Sequence, residues 1–274
     1  MYLKDLPPEL KTVISFTHEG KLSRADRICR EYLRDHPHDI EAMRLLANIG
    51  RDLNIYEDAE FLLESALLFD PNNAKIKYDY INILTKRQKY GEALKHAQKF
   101  YDEDPTNINA MKLLSTALFR TDRYKQAIEI YNKVLELDNN YFKAHNNLGN
   151  IYKKKGLYKQ AINYYLSALE INSNYKVSYY NLAGALQFYK LNVENKNINK
   201  YLLYLLKEKI IVRPNSIAPN VLNSLFLNTD LKENLSLVKN KITNKDFNYI
   251  LENLQKNSLL MQFMKVCPIP DYYI

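Results

Sequence analysis

Apolar and polar positions alternate with helical period through Ala144–Ile171, AHNNLGNIYKKKGLYKQAINYYLSALEI. Leu148, Ile151 and Tyr152 share one stripe, and Ala161, Ile162, Tyr165, Leu166 and Leu169 form a second. Recurrence at three and four residues predicts two helices, broken at Gly156. Small residues (Gly149, Ala161 and Ala168) stand inside those helices, where larger side chains would bury more area. The same arrangement recurs along the chain. Steps of 34 back from Ala161 reach Ala127, Ala93, Ala59 and Ala25. Three residues ahead of each stand Tyr158, Tyr124, Tyr90, Tyr56 and Leu22; twelve after come Ser173, Asn139, Pro105, Pro71 and Pro37. Five units follow without a gap: 6–39, 40–73, 74–107, 108–141 and 142–175.

Each unit is a helix pair that cannot bury its own apolar face, so neighbours must stack to complete a core. Small side chains belong at the closest crossings. Val13, Ala47, Ile81, Ser115, Gly149 and Ala183 hold one such place in the first helices, and the alanine column holds another in the second. A sixth unit, 176–214, opens with VSYYNLAGALQFY and then slips register. Its polar stretch LNVENKNIN carries about seven extra residues before a second helix that closes at Pro214. Residues 215–274 read as a helical capping or bridging segment, with helices near 218–228, 231–242 and 245–266.

Composition narrows the function. No apolar run reaches the 18 residues of a membrane span, and prolines stand where a signal peptide needs its apolar core. Cys29 and Cys267 read as reduced thiols of a cytoplasmic protein. The net charge of +8 lies mainly in the last third: residues 176–274 hold 13 Lys and Arg against 7 Asp and Glu. Those lysines are scattered among asparagines, without the arginines and aromatics of a nucleic-acid face. Phosphate-cradling loops are missing, so no cofactor is expected. His36 and His38 fall in a turn, which gives no metal site. The acidic runs Glu57-Asp58-Glu60 and Asp102-Glu103-Asp104 read as solvated surface, and no catalytic centre is recognisable.

The period, together with Leu148, Gly149, Tyr152, Ala161, Tyr165 and Ala168, resembles the tetratricopeptide (TPR) pattern. The Trp of that pattern is replaced by Glu9, Met43, Lys77, Met111 and His145, and the chain contains no Trp. The resemblance implies an all-α fold: a right-handed α-solenoid of stacked helix pairs with a C-terminal helical extension. It also implies a concave face lined by the first helices. The positions on it are Arg44, Asn48, Arg51, Tyr78, Asn82, Lys112, Asn146, Asn147, Asn150, Lys154 and Asn181. Asn147 and Asn181 resemble two rungs of the asparagine ladder of O-linked sugar transferases, though Leu113, Asp79 and Leu45 do not continue it. Arg44 and Asn48 could start the dicarboxylate clamp of chaperone-binding TPRs, but Asp79 stands where an Asn should follow.

Two stretches resemble larger proteins. Asp39–Tyr80 is similar to the N-terminal region of bacterial TPR–sulfotransferase fusions. RPNSIAPNVLNSLF with NSLLMQFMKVCPIPDYYI resembles the bridge in bacterial proteins whose TPRs precede a methyltransferase domain. The expectation is a non-catalytic scaffold that binds a protein or peptide along its concave face. The alternative is the substrate-recruiting front of a transferase, with a catalytic domain downstream in the full-length protein.

Overall fold

A computed structural model of the chain describes residues 6–189, 196–208, 220–221 and 257–266. All the regular structure among them is helical. The chain divides into two compact units, Met1–Leu137 and Asp138–Ile274.

The first unit holds four helix hairpins. They are α1 (Pro8–His18) with α2 (Leu22–Asp35), α3 (Ile40–Asp52) with α4 (Tyr56–Phe69), α5 (Ala74–Lys86) with α6 (Tyr90–Glu103), and α7 (Ile108–Arg120) with α8 (Tyr124–Leu137). Each helix packs on the next. The first helices also meet one another, α1 on α3, α3 on α5 and α5 on α7. The first-helix starts at 40, 74 and 108 repeat every 34 residues, and each is capped. Asp39, Asn73 and Asn107 precede α3, α5 and α7, and each accepts backbone N–H bonds with its side chain, at 2.9 Å from Ala42, 3.1 and 3.3 Å from Lys75 and Ile76, and 3.0 and 3.2 Å from Asn109 and Ala110. Each hairpin turns through a left-handed residue: Gly20, Asn54, Gln88 and Asp122 have φ of 73°, 63°, 61° and 59°. Prolines 71 and 105 lie just past α4 and α6, which end at Phe69 and Glu103.

The second unit holds α9 (Phe142–Lys154) with α10 (Tyr158–Ile171), α11 (Lys176–Leu186), α12 (Lys196–Lys207) and α13 (Ser258–Val266). Gly156 makes its hairpin turn at φ 74°. Here α9 packs on α10 and α11, α10 on α11, and α12 on both α11 and α13. Nine residues separate α11 from α12, where three separate α9 from α10. Helix α12 takes in the last four residues of the polar stretch read as an inserted turn. Its buried stripe, Ile198, Tyr201, Leu202, Leu205 and Leu206, starts there and draws Lys196–Asn199 into the first turn. The helices expected near 218–228 and 231–242, the first part of 245–266, and Cys267 lie outside the described residues, apart from Asn220 and Val221.

Small and large residues alternate across the hairpins. The column Ala25, Ala59, Ala93, Ala127 and Ala161 has no exposure at all. Where the first helix is smallest, the buried residue sixteen further on is largest: Ser115 goes with Tyr131 and Gly149 with Tyr165, while Ile81 goes with Ala97. At Gly149 the approach is direct, since a Cβ there would stand 2.5 Å from Tyr165 Cε1. The tyrosine ring thus fills the volume that the glycine gives up.

Candidate functional site

In the first unit the candidate residues sit on α3, α5 and α7, but the charges there are already matched. Glu41 holds the Arg44 guanidinium through bonds of 2.6 and 3.1 Å, and Asp79 Oδ2 reaches Arg44 Nη1 at 3.2 Å. The same Asp79 oxygen accepts from Asn48 Nδ2 at 3.1 Å. Arg51 Nη1 donates to Asn48 Oδ1 at 2.8 Å and Nε to Asp52 at 2.9 Å. Hydrogen bonding to Glu41 leads, against burial, in raising the Arg44 pKa above its ordinary value, and Asp79 adds to it. An anion site at Arg44 and Asn48 therefore carries its own carboxylate. Asn82 turns its amide back onto the Tyr78 carbonyl at 2.9 Å, and Tyr78 itself stands at the surface. Lys112 on α7 is half-buried, and its carbonyl accepts from Thr116 Oγ1 at 2.8 Å.

In the second unit the face is made of amides. Asn146 is buried rather than presented: its Oδ1 accepts from Ser178 Oγ and from Asn181 Nδ2, both at 2.9 Å, and ties α9 to α11. Its Nδ2 lies 3.4 Å from Asn147 Oδ1. Asn150 Oδ1 accepts from the Tyr165 hydroxyl at 2.8 Å. Burial raises the pKa of that phenol, which keeps it a donor. Asn150 is thereby left with its Nδ2 donors, and Asn181 with its Oδ1 acceptor. Among the described residues no other group takes either. Lys154 is exposed, as are Val177 and Tyr180 at the start of α11.

Three side chains take roles that the sequence did not assign them. Asp79 is the one acid in a register column that otherwise reads Lys11, Leu45, Leu113, Asn147 and Asn181, and that was the available signal. Lys153 stands three repeats after Arg51. Its Nζ lies 3.4 Å from where a Cβ of Gly184 would be, and burial lowers its pKa. Glu60 corrects the reading of its acidic run as solvated surface, being only 7% exposed. Arg87 Nη1 bonds it at 2.9 Å and Lys89 Nζ at 2.6 Å; two cations from the next turn draw it inward. Asp58 and Glu57 remain outside, bridged to Arg30 and Arg87.

His36 stacks on Tyr32 with centroids 4.3 Å apart, and His38 rests against Phe69. Cys29 is buried and donates to the Ala42 carbonyl at 3.4 Å, and burial pushes its thiol pKa up to about 12. Among the described residues no helix is long and apolar enough to cross a membrane.

Two family models match the chain. The TPR domain of cytochrome c-type biogenesis protein H covers residues 22–140, and the tetratricopeptide repeat covers 142–175. No protein of curated function matches it in sequence. Among solved structures, MamA 41-end from Desulfovibrio magneticus RS-1 is 22% identical with a TM-score of 0.53, over 62% of this chain and 98% of that one. A second crystal structure of MamA gives 21% and 0.52, over 63% and 97%. YrrB, described as a TPR protein with an unusual peptide-binding site, gives 20% and 0.50, over 64% and 90%. At these identities the likeness is one of fold.

Proposed function

Residues 22–140 and 142–175 are tetratricopeptide repeats, and from that premise we propose that the chain is a non-catalytic scaffold holding an extended peptide on its first-helix faces. The amides of the second unit carry this reading. Asn150 offers the two hydrogens of its Nδ2 while its oxygen accepts from Tyr165, and Asn181 offers its Oδ1 while one hydrogen of its nitrogen goes to Asn146. A peptide backbone supplies both complements, whatever its side chains. Asn147, Lys154 and the exposed Tyr180 extend the same surface. Arg44, in the first unit, is a weaker candidate, since Glu41 and Asp79 already neutralise it. The alternative role, at the front of a transferase, rests on sequence resemblance at 39–80, 213–226 and 257–274.

The test is the affinity of peptides selected by display against the whole chain. Asn150→Ala with Asn181→Ala should weaken binding about 10- to 100-fold, at roughly 1 kcal/mol for each bond lost. Thermal melts of the variants would check that they remain folded. Arg44→Ala should change affinity little. Peptides that bind the double variant as tightly as the parent would sink the proposal.

A further inference from the structure

The Trp place of the repeat, three residues before the Leu of the Leu-Gly pair, holds Lys77 in the third unit. A cavity of about 170 Å³ opens there. Leu67, Pro71, Tyr80 and Phe100 make its apolar lining, with His96 and Lys99 at its side. Helices α4, α5 and α6 all contribute, so the cavity belongs to the stack and not to one hairpin. The Lys77 side chain is 13% exposed and ion-paired with Glu103. Its Nζ lies 5.9 Å from the Phe100 centroid, and the Tyr80 and His96 rings meet edge-on at 5.1 Å. A four-carbon stem occupies less of such a socket than an indole would. The same register two repeats on holds His145, in a more open cavity of about 310 Å³ with Tyr152 and Tyr164. Tyr164 there takes the register place of His96. Two cavities at the Trp register of a Trp-free chain point to places that the sequence leaves unfilled.

We infer that the Lys77 cavity is a binding socket for one planar aromatic ring. A cavity of ~150 Å³ with apolar walls takes a benzene ring, so the space suffices. Tyr80 and Phe100 supply ring edges and faces, which favour a further aromatic ring in offset or edge-on geometry. Lys99 also lines the cavity and can set a cation over a bound ring, while Lys77 is paired with Glu103, a further lining residue. The ring can arrive on a partner's side chain or as a free small molecule. The socket uses none of the residues assigned to the amide face.

The absence of Trp gives a clean readout, because indole fluorescence has no background in this chain. Free indole and the tripeptide acetyl-Gly-Trp-Gly-amide are titrated separately into the full chain. A saturable blue shift with either supports the socket; binding of indole alone assigns it to small molecules, and binding of the tripeptide assigns it to side chains. Lys77→Trp places an indole in the socket covalently. Its emission should be that of a buried ring, its melting temperature should rise, and titrated indole should no longer bind. Phe100→Ala, which removes one wall, should weaken binding at least tenfold if Lys77→Trp folds poorly. No binding of either probe to the parent chain, or equal binding to the parent and both variants, would overturn the inference. Neither outcome bears on the amide face, which Asn150 and Asn181 test separately.

Discussion

Adding one methyl group at Gly149 tests the central packing argument. The new Cβ would stand 2.5, 2.7 and 3.1 Å from Cε1, Cδ1 and Cζ of Tyr165. Carbon atoms pack favourably at ~3.5–4.0 Å, so something must move by about an ångström. The ring has little freedom to do so. Tyr165 is fully buried, and its hydroxyl is anchored on Asn150 at 2.8 Å. Overpacking of this kind costs roughly 1–3 kcal/mol, and the close contact argues for the upper end. Replacing a mid-helix glycine by alanine returns about 1 kcal/mol of helix propensity. The net expectation is a loss of about 2 kcal/mol, or a fall in Tm of roughly 4–8 °C for a chain of this size. Circular dichroism melts and urea titrations of Gly149→Ala measure it. The decisive control is the same change in a Tyr165→Leu background. With the ring gone, alanine at 149 should be neutral or stabilising, so the two changes should be strongly non-additive. A Gly149→Ala variant that melts at or above the parent temperature would refute the reasoning, because propensity alone would then account for the site.

Two further outcomes follow from the turns and the buried acid. Gln88 holds φ 61° at a place where the other hairpins use Gly, Asn or Asp, so Gln88→Gly should relieve ~1 kcal/mol of left-handed strain and raise the urea midpoint. An unchanged or lower midpoint would count against strain at that turn. Burial pushes the Glu60 carboxyl up, but hydrogen bonds from Lys89 and Arg87 outweigh it and hold its pKa below the ordinary 4.5. A carboxylate with a depressed folded pKa binds fewer protons than in the unfolded chain, so its stability is present above 4.5 and is lost as pH falls through the folded value. The Tm advantage of the parent over Glu60→Gln should therefore shrink on acidification from neutral pH to below 4.5. A gap that stays constant with pH would exclude the ion pairs as its source.

The repeat, its helix pairs and its small-residue columns are legible in the residues because every unit solves the same local problem. The helix starts at Tyr56, Tyr90, Tyr124 and Tyr158 follow a period of 34, and the caps at Asp39, Asn73 and Asn107 act within three residues. Short-range chemistry of this kind is written where it acts. What the candidate faces present was decided by tertiary structure. A helix turns about 100° per residue, so neighbours such as Asn146 and Asn147 differ in fate: Asn146 is buried between α9 and α11, while Asn147 is only partly so. Asp79 meets Arg44 and Asn48 from a helix one repeat away, and Arg87 and Lys89 reach back to Glu60 across a comparable gap. The 34-residue period places those partners in neighbouring repeats, but it does not say which side chains are long enough to meet. Reach, charge and the volume left by neighbours settle that. For the same reason the missing Trp was visible in the composition, while the cavity at Lys77 required the packing of three helices around it.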